Sequence, residues 1–154
     1  PVYLTPFPDA VVTLLKLRDR RFRLGVASKG RAVKQWQKLI QLGLDHLFHA
    51  VTISEETGSE VLNVDTLFKT LETLRIKPRR AMFVGADLAR EIAVANEAKM
   101  VSVRLRAGTN RSSTPRHSSE KPAYDRKTFR AFCDSADKGL KDPKRVSIFV
   151  EMTN

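Results

Sequence analysis

An α/β fold built on a parallel sheet, with helices on both faces, is what this sequence predicts. Three observations carry the reading. Short aliphatic and β-branched runs alternate with amphipathic helical stretches from residue 9 to residue 105. The connections between them are short. The strand-like runs end on small or polar residues, as in Ser28-Lys29-Gly30 and Gly85-Ala86-Asp87, and an open parallel sheet meets its ligands at those carboxyl ends.

The elements follow in order. Val11, Val12, Leu14, Leu15 and Leu17 give residues 9–21 an apolar helical face, with Asp9 as N-cap after Pro8. Residues 23–27 read as a strand. Residues 31–42 read as a helix with Val33, Trp36, Leu39 and Ile40 at helical spacing and Gly43 as its stop, so Trp36 is expected in the core. A strand over 49–53 precedes a helix over 65–74, capped by Asp65 and ended at Lys77-Pro78. Strand 81–84, helix 86–98 and strand 100–105 complete the alternation. Residues 1–107 form the core, and 108–122, polar and turn-rich, form an exposed basic loop. Residues 123–154 complete the same domain, with a helix over 124–140 (Phe129, Phe132 and Cys133 on one side) and a strand over 145–152.

Bulk composition narrows the classes. At 154 residues and 42% hydrophobic content the chain has enough for one core, and no apolar run approaches a bilayer-spanning length. A lone Cys133 excludes an internal disulfide framework and favours a reducing, intracellular compartment. The chain begins at Pro1 rather than Met, which suits a processed or partial N-terminus and a mitochondrial matrix setting after removal of a targeting peptide, with the cytoplasm as the alternative. His46, His49 and His117 lack ligand spacing.

Charge is the second clear signal. There are 28 Lys+Arg against 17 Asp+Glu, a net charge of +11. Residues 104–130 hold eight of the basic side chains, Arg104, Arg106, Arg111, Arg116, Lys121, Arg126, Lys127 and Arg130, against Glu120 and Asp125. Basic side chains on an exposed loop suit a phosphate backbone, and without an aromatic recognition strand they suit structured RNA read by shape. A solvated basic face is the plain alternative.

Segments 24–30, 34–39, 48–58 and 82–100 together resemble the haloacid dehalogenase (HAD)-like superfamily, in its phosphatase-like branch, over residues 4–107. The resemblance implies a three-layer Rossmann-like fold whose cap and first catalytic strand are absent from the N-terminus. It also implies a degenerate phosphate and metal pocket at Ser28, Lys29, Ala86, Asp87 and Glu91. Ser28 matches the family's phosphate-binding hydroxyl, or is simply a capping residue. Val61 and Leu62 stand where the family has lysine and proline. Ala86 replaces the first acid of the Gly-Asp, four residues, Asp motif, and Glu91 the second; a methyl group offers Mg²⁺ no ligand.

Three readings follow. The leading one is a non-catalytic HAD-like pseudoenzyme, with no cofactor, serving beside structured RNA and neighbouring proteins in a ribonucleoprotein such as a ribosome. The second is a HAD phosphomonoester hydrolase whose nucleophile strand lies outside this chain and which would need Mg²⁺. The third is a pseudoenzyme that senses a phosphorylated metabolite. In the family the first strand lies between those ending at Ser28 and Ala86, and residues 146–151 have the makeup of that strand. They fill the central slot, as in a circular permutation, or add an edge strand; otherwise a partner chain or an unseen segment completes the sheet.

Overall fold

The computed structural model describes residues 10–106, 113–128, 130–131 and 147–150. Helix α1 (Ala10–Asp19) turns Leu14 and Leu17 inward. Arg21, at φ 66°, then reverses the chain into β1 (Arg23–Ser28). Helix α2 (Ala32–Gln41) ends just before Gly43, whose φ of 70° is the left-handed stop that glycine accommodates without strain. Strand β2 (Ala50–Ile53) leads to α3 (Val64–Leu74). The α3 cap is Asn63, whose Oδ1 accepts the Thr66 N–H at 3.0 Å, and the expected cap Asp65 lies inside the first turn. Strand β3 (Ala81–Gly85) is followed by one π-helical turn (Leu88–Ile92) running into α4 (Ala93–Glu97), and β4 (Val101–Leu105) follows.

Strands β5 (Tyr124–Arg126) and β6 (Ser147–Val150) complete a six-stranded sheet of order β2-β1-β6-β3-β4-β5, parallel throughout. Of the placements open to the C-terminal strand, the central one is observed. Ser147 lies beside both Arg23 and Ala81, and Val150 beside both Val26 and Val84. The slot is therefore filled from within the chain, which corrects the expectation that a partner chain might complete the sheet.

Side-chain alternation along the strands divides the core. Leu24 and Val26, Met82 and Val84, and Val103 and Leu105 join Leu14, Leu17 and Leu39 on one face. Ala27, Ala81 and Phe83 join Leu67, Leu71, Leu74 and Ala95 on the other. Two buried faces on a parallel sheet explain why these strands read as continuous apolar runs.

Other expectations are corrected. Trp36 is not in the core: Val33, Trp36 and Ile40 form an exposed stripe, while Leu39 and Gln35 carry the buried side of α2. Tyr124–Arg126 is an edge strand, not the start of a helix, because Arg106 donates its N–H to the Arg126 carbonyl and grips Asp125 with its guanidinium. Phe129, Phe132 and Cys133 lie outside the described residues, as does Asp9. Residues 113–122 are mostly exposed yet tied down, since Asn96 Nδ2 donates to the Ser119 and Lys121 carbonyls at 2.8 and 2.9 Å. Among the described residues no helix is long and apolar enough to cross a membrane.

Phe83 is fully buried in the middle of β3, and its ring closes on Gly85. Phe83→Ala is expected to cost about 3–5 kcal/mol of stability, read as a lower urea midpoint with an unchanged slope.

Candidate active site

The carboxyl ends of β1 and β3 hold the residues singled out from the sequence. Ser28 closes β1 and is fully buried, with its Oγ 3.4 Å from the Lys29 carbonyl. The next two residues are pinned from below and from the side. Gln35 Nε2 donates to the Lys29 carbonyl at 2.8 Å, and Gly30 donates its N–H to Ser54 Oγ at 2.9 Å. Gly30 sits at φ 110°, and a Cβ there would meet Gln35 Nε2 at 3.1 Å, so only glycine lets the chain pass.

At the end of β3 a buried carboxylate organises the turn. Glu91 Oε1 accepts the N–H of Ala86 at 2.9 Å and of Asp87 at 2.7 Å. Asp87 caps the following turn, its Oδ1 accepting the N–H groups of Ala89 and Arg90, each at 3.0 Å. A Cβ on Gly85 would lie 3.1 Å from Glu91 Cβ, so a side chain there would push the carboxylate away. Burial raises the Glu91 pKa above the usual carboxylate range. The two backbone N–H bonds counter that rise, the Asp87 charge adds to it, and the Lys29 ammonium across the site opposes it. Lys29 and Glu91 therefore belong to one electrostatic neighbourhood, bridging the ends of β1 and β3.

The remaining family positions are not repaired by their neighbours. Val61 is 60% exposed and Leu62 is buried. Lys69 is exposed on α3, two helical turns away from that position in the chain. The donor set does not fit Mg²⁺. Ala86 presents a methyl group, Glu91 Oε1 is taken by two N–H groups, and Asp87 Oδ1 by two more. Among the described residues no cluster of three or more His, Cys, Asp or Glu side chains is placed to hold a metal ion.

The basic candidates separate by burial. Arg104 is 1% exposed and its guanidinium bonds Ser113 Oγ at 3.0 Å. Arg106 makes a forked pair with Asp125 at 2.8 and 2.9 Å, and Arg126 lies over the Tyr124 ring. Arg116, Lys121, Lys127 and Arg130 are exposed, and Arg111 lies outside the described residues. His49, which lacks ligand spacing in the sequence, accepts the Leu24 N–H through Nδ1; burial, then the Arg18 charge, lowers its pKa.

A model of haloacid dehalogenase-like hydrolases matches residues 2–105. The chain belongs to the haloacid dehalogenase-like hydrolase family. A glyceraldehyde 3-phosphate phosphatase of Methanopyrus kandleri is 41% identical over 140 residues, covering 91% of this chain and 60% of that protein. One from Methanothermobacter thermautotrophicus is 39% identical over 100 residues, covering 65% of this chain and 44% of that protein. The crystal structure of a HAD phosphatase from Thermococcus onnurineus superposes with a TM-score of 0.72 at 24% identity, over 91% of this chain and 60% of that one. The chain thus spans about 60% or less of the length of the curated relatives it matches.

These HAD relatives overturn the reading of a non-catalytic RNA-associated protein of a ribosome or mitochondrion. The relatives are phosphatases of archaea, and the basic segment that carried the RNA reading includes a buried Arg104 and a paired Arg106. The pseudoenzyme expectation falls with it.

Removing the Glu91 carboxylate strands two N–H groups at the end of β3. Glu91→Ala is expected to cost about 2–6 kcal/mol, since each buried donor left unmade costs about 1–3 kcal/mol. Glu91→Gln keeps the acceptor oxygen and removes the titration. A carboxyl whose folded pKa is raised loses stability as pH rises through and above its ordinary value. Wild type should therefore show that decline towards neutral pH in urea melts, and Glu91→Gln should show a flatter profile.

Proposed function

We propose that this chain is the core of a phosphomonoester hydrolase that acts on a small phosphorylated metabolite, with glyceraldehyde 3-phosphate as the first candidate. The observation that carries the reading is the placing of Ser28 and Lys29 at the end of β1, level with the Ala86–Glu91 turn at the end of β3. The names of the archaeal relatives support the substrate class. In this reading Ser28 supplies a hydroxyl to a phosphate oxygen at the position the family uses for it. Lys29 supplies the positive charge that gathers the dianion and that no side chain at Val61 can give. The Asp87 and Glu91 turn fixes the opposite wall. The donors present at this turn do not fit Mg²⁺. The single cysteine of the chain agrees with a reducing, intracellular setting.

Phosphate release from glyceraldehyde 3-phosphate, followed by a colorimetric assay, tests the reading. Saturable release is expected, with Ser28→Ala and Lys29→Ala each lowering kcat/KM by about 100-fold, the scale for losing one preorganised stabilising group. Release no greater than in buffer, unaffected by either substitution, would overturn it.

A further inference from the structure

Because the sheet is parallel throughout, every strand starts at the end of the molecule opposite Ser28 and Ala86. The register sets three of these starts level. Arg23 and Ala81 flank Ser147 of β6, and Met82 stands beside Val101, so Arg80 and Lys99 reach the sheet at one height. The residues that meet there are basic and exposed. Arg21 and Arg23 lead into β1, Lys77, Arg79 and Arg80 into β3, and Lys99 into β4. Arg23 Nη1 donates to the Leu74 carbonyl at 2.5 Å, which brings the β1 start against the end of α3 and its exposed cap, Arg75. The turn Pro78–Arg80 packs in its turn against β4. One cationic face therefore crosses the strand starts.

The acids of this end do not offset it. They are Asp19, Asp45, Glu72 and Glu97, and Asp45 lies 3.8 Å from His46. Among the described residues none of them is ion-paired with a cation of the face. Part of the basic content has an ordinary structural use, since cations at helix C-termini complement the last carbonyls, as Arg23 does for α3. Lys77, Arg79 and Arg80 lie past that turn, and their side chains bond no described residue. At the opposite end of the sheet the exposed charges are mixed, with Glu55, Glu56 and Asp65 standing among Lys29, Arg31 and Arg90. Charge is thus polarised along the strands, away from the candidate site.

The absence of apolar anchors from this face selects the partner. A stable protein interface needs a desolvated, largely apolar centre, from which lysine is depleted. None of the large exposed apolar side chains lies in the segments that carry these cations. A bilayer with anionic headgroups asks only for Lys and Arg clustered within a Debye length of its surface. We propose that the amino end of the sheet docks on an anionic lipid surface. Arg75, Lys77, Arg79 and Arg80 form the centre of the contact, with Arg21, Arg23 and Lys99 around them. Docked this way, the Ser28 and Ala86 end faces the solution. The attachment is electrostatic and reversible, and it stands apart from the phosphatase reading.

Sedimentation of the full chain with lipid vesicles tests the proposal. Vesicles of phosphatidylcholine with about one phosphatidylglycerol in three should carry the protein down at low salt and release it at high salt. Phosphatidylcholine alone should carry none. Lys77→Gln, Arg79→Gln and Arg80→Gln together should weaken binding by about 100-fold, the scale for three cations at such a surface. The charge-keeping set Lys77→Arg, Arg79→Lys and Arg80→Lys should retain it. Arg116→Gln, Lys121→Gln and Lys127→Gln remove the same charge elsewhere and should change it little. Trp36, the one tryptophan of the chain, lies on α2 and reports orientation. Bromine-labelled acyl chains should leave its fluorescence unquenched. No sedimentation with the anionic vesicles at low salt, equal losses in the two Gln sets, or a quenched Trp36 overturns the proposal. Vesicles left unbound while polyglutamate binds, and is released by the Lys77 Gln set, would overturn it in favour of an acidic protein partner.

Discussion

Two inner strand edges that must be joined govern this molecule. β1 and β3 each carry a ladder of N–H and C=O groups towards the other, and each pairs on its far side with another strand. Left facing a gap, those groups would be buried without partners, at a cost of about 1–3 kcal/mol for each one unmade. β6 lies between them and pairs with both. The pairing also sets alignment. Because Val150 stands beside Val26 and Val84 alike, Ser28 and Ala86 lie at the same height, two residues further along their strands. The candidate site owes its level floor to that shared register.

The β3 end shows how a site can keep its shape while its ligand chemistry changes. Ala86 brings no carboxylate, yet the turn is held by one, since Glu91 reaches back to the Ala86 and Asp87 N–H groups. The burial that makes this bond network tight also raises the carboxyl's pKa. Gly85 is the condition for it, leaving room for the Glu91 side chain to pass. On the β1 side Gly30 plays the matching part, letting Gln35 and Ser54 hold the Lys29–Gly30 loop against the rest of the sheet.

Much of the fold was legible because buried parallel strands announce themselves as continuous apolar runs between helices. Strands β1 to β4 and helices α1 to α3 fall within a few residues of their expected places for that reason. The errors have local causes. Val33, Trp36 and Ile40 keep helical spacing, but periodicity does not say which side of a helix meets a sheet, and here it is the Gln35 and Leu39 side. Tyr124–Arg126 was missed because its pairing depends on Arg104 and Arg106, some twenty residues earlier, meeting Asp125. Ser28, Asp87 and Glu91 could be found from the sequence; the bonds from Glu91 back to the Ala86 and Asp87 N–H groups could not, since they need the turn after β3 already folded. The functional misreading came from weighing net charge and lost motif residues above family. Burial of Arg104 and pairing of Arg106 take part of that charge out of play.

Hydrogen exchange resolved to single amides tests the central claim most directly. If β6 joins β1 to β3, the Ile148, Phe149 and Val150 amides should exchange only on global unfolding, with the same protection as Val26 and Val84. Exchange of those amides near the free-peptide rate, while Val26 and Val84 stay protected, would contradict the account, because the two halves of the site would then have nothing between them to hold their register.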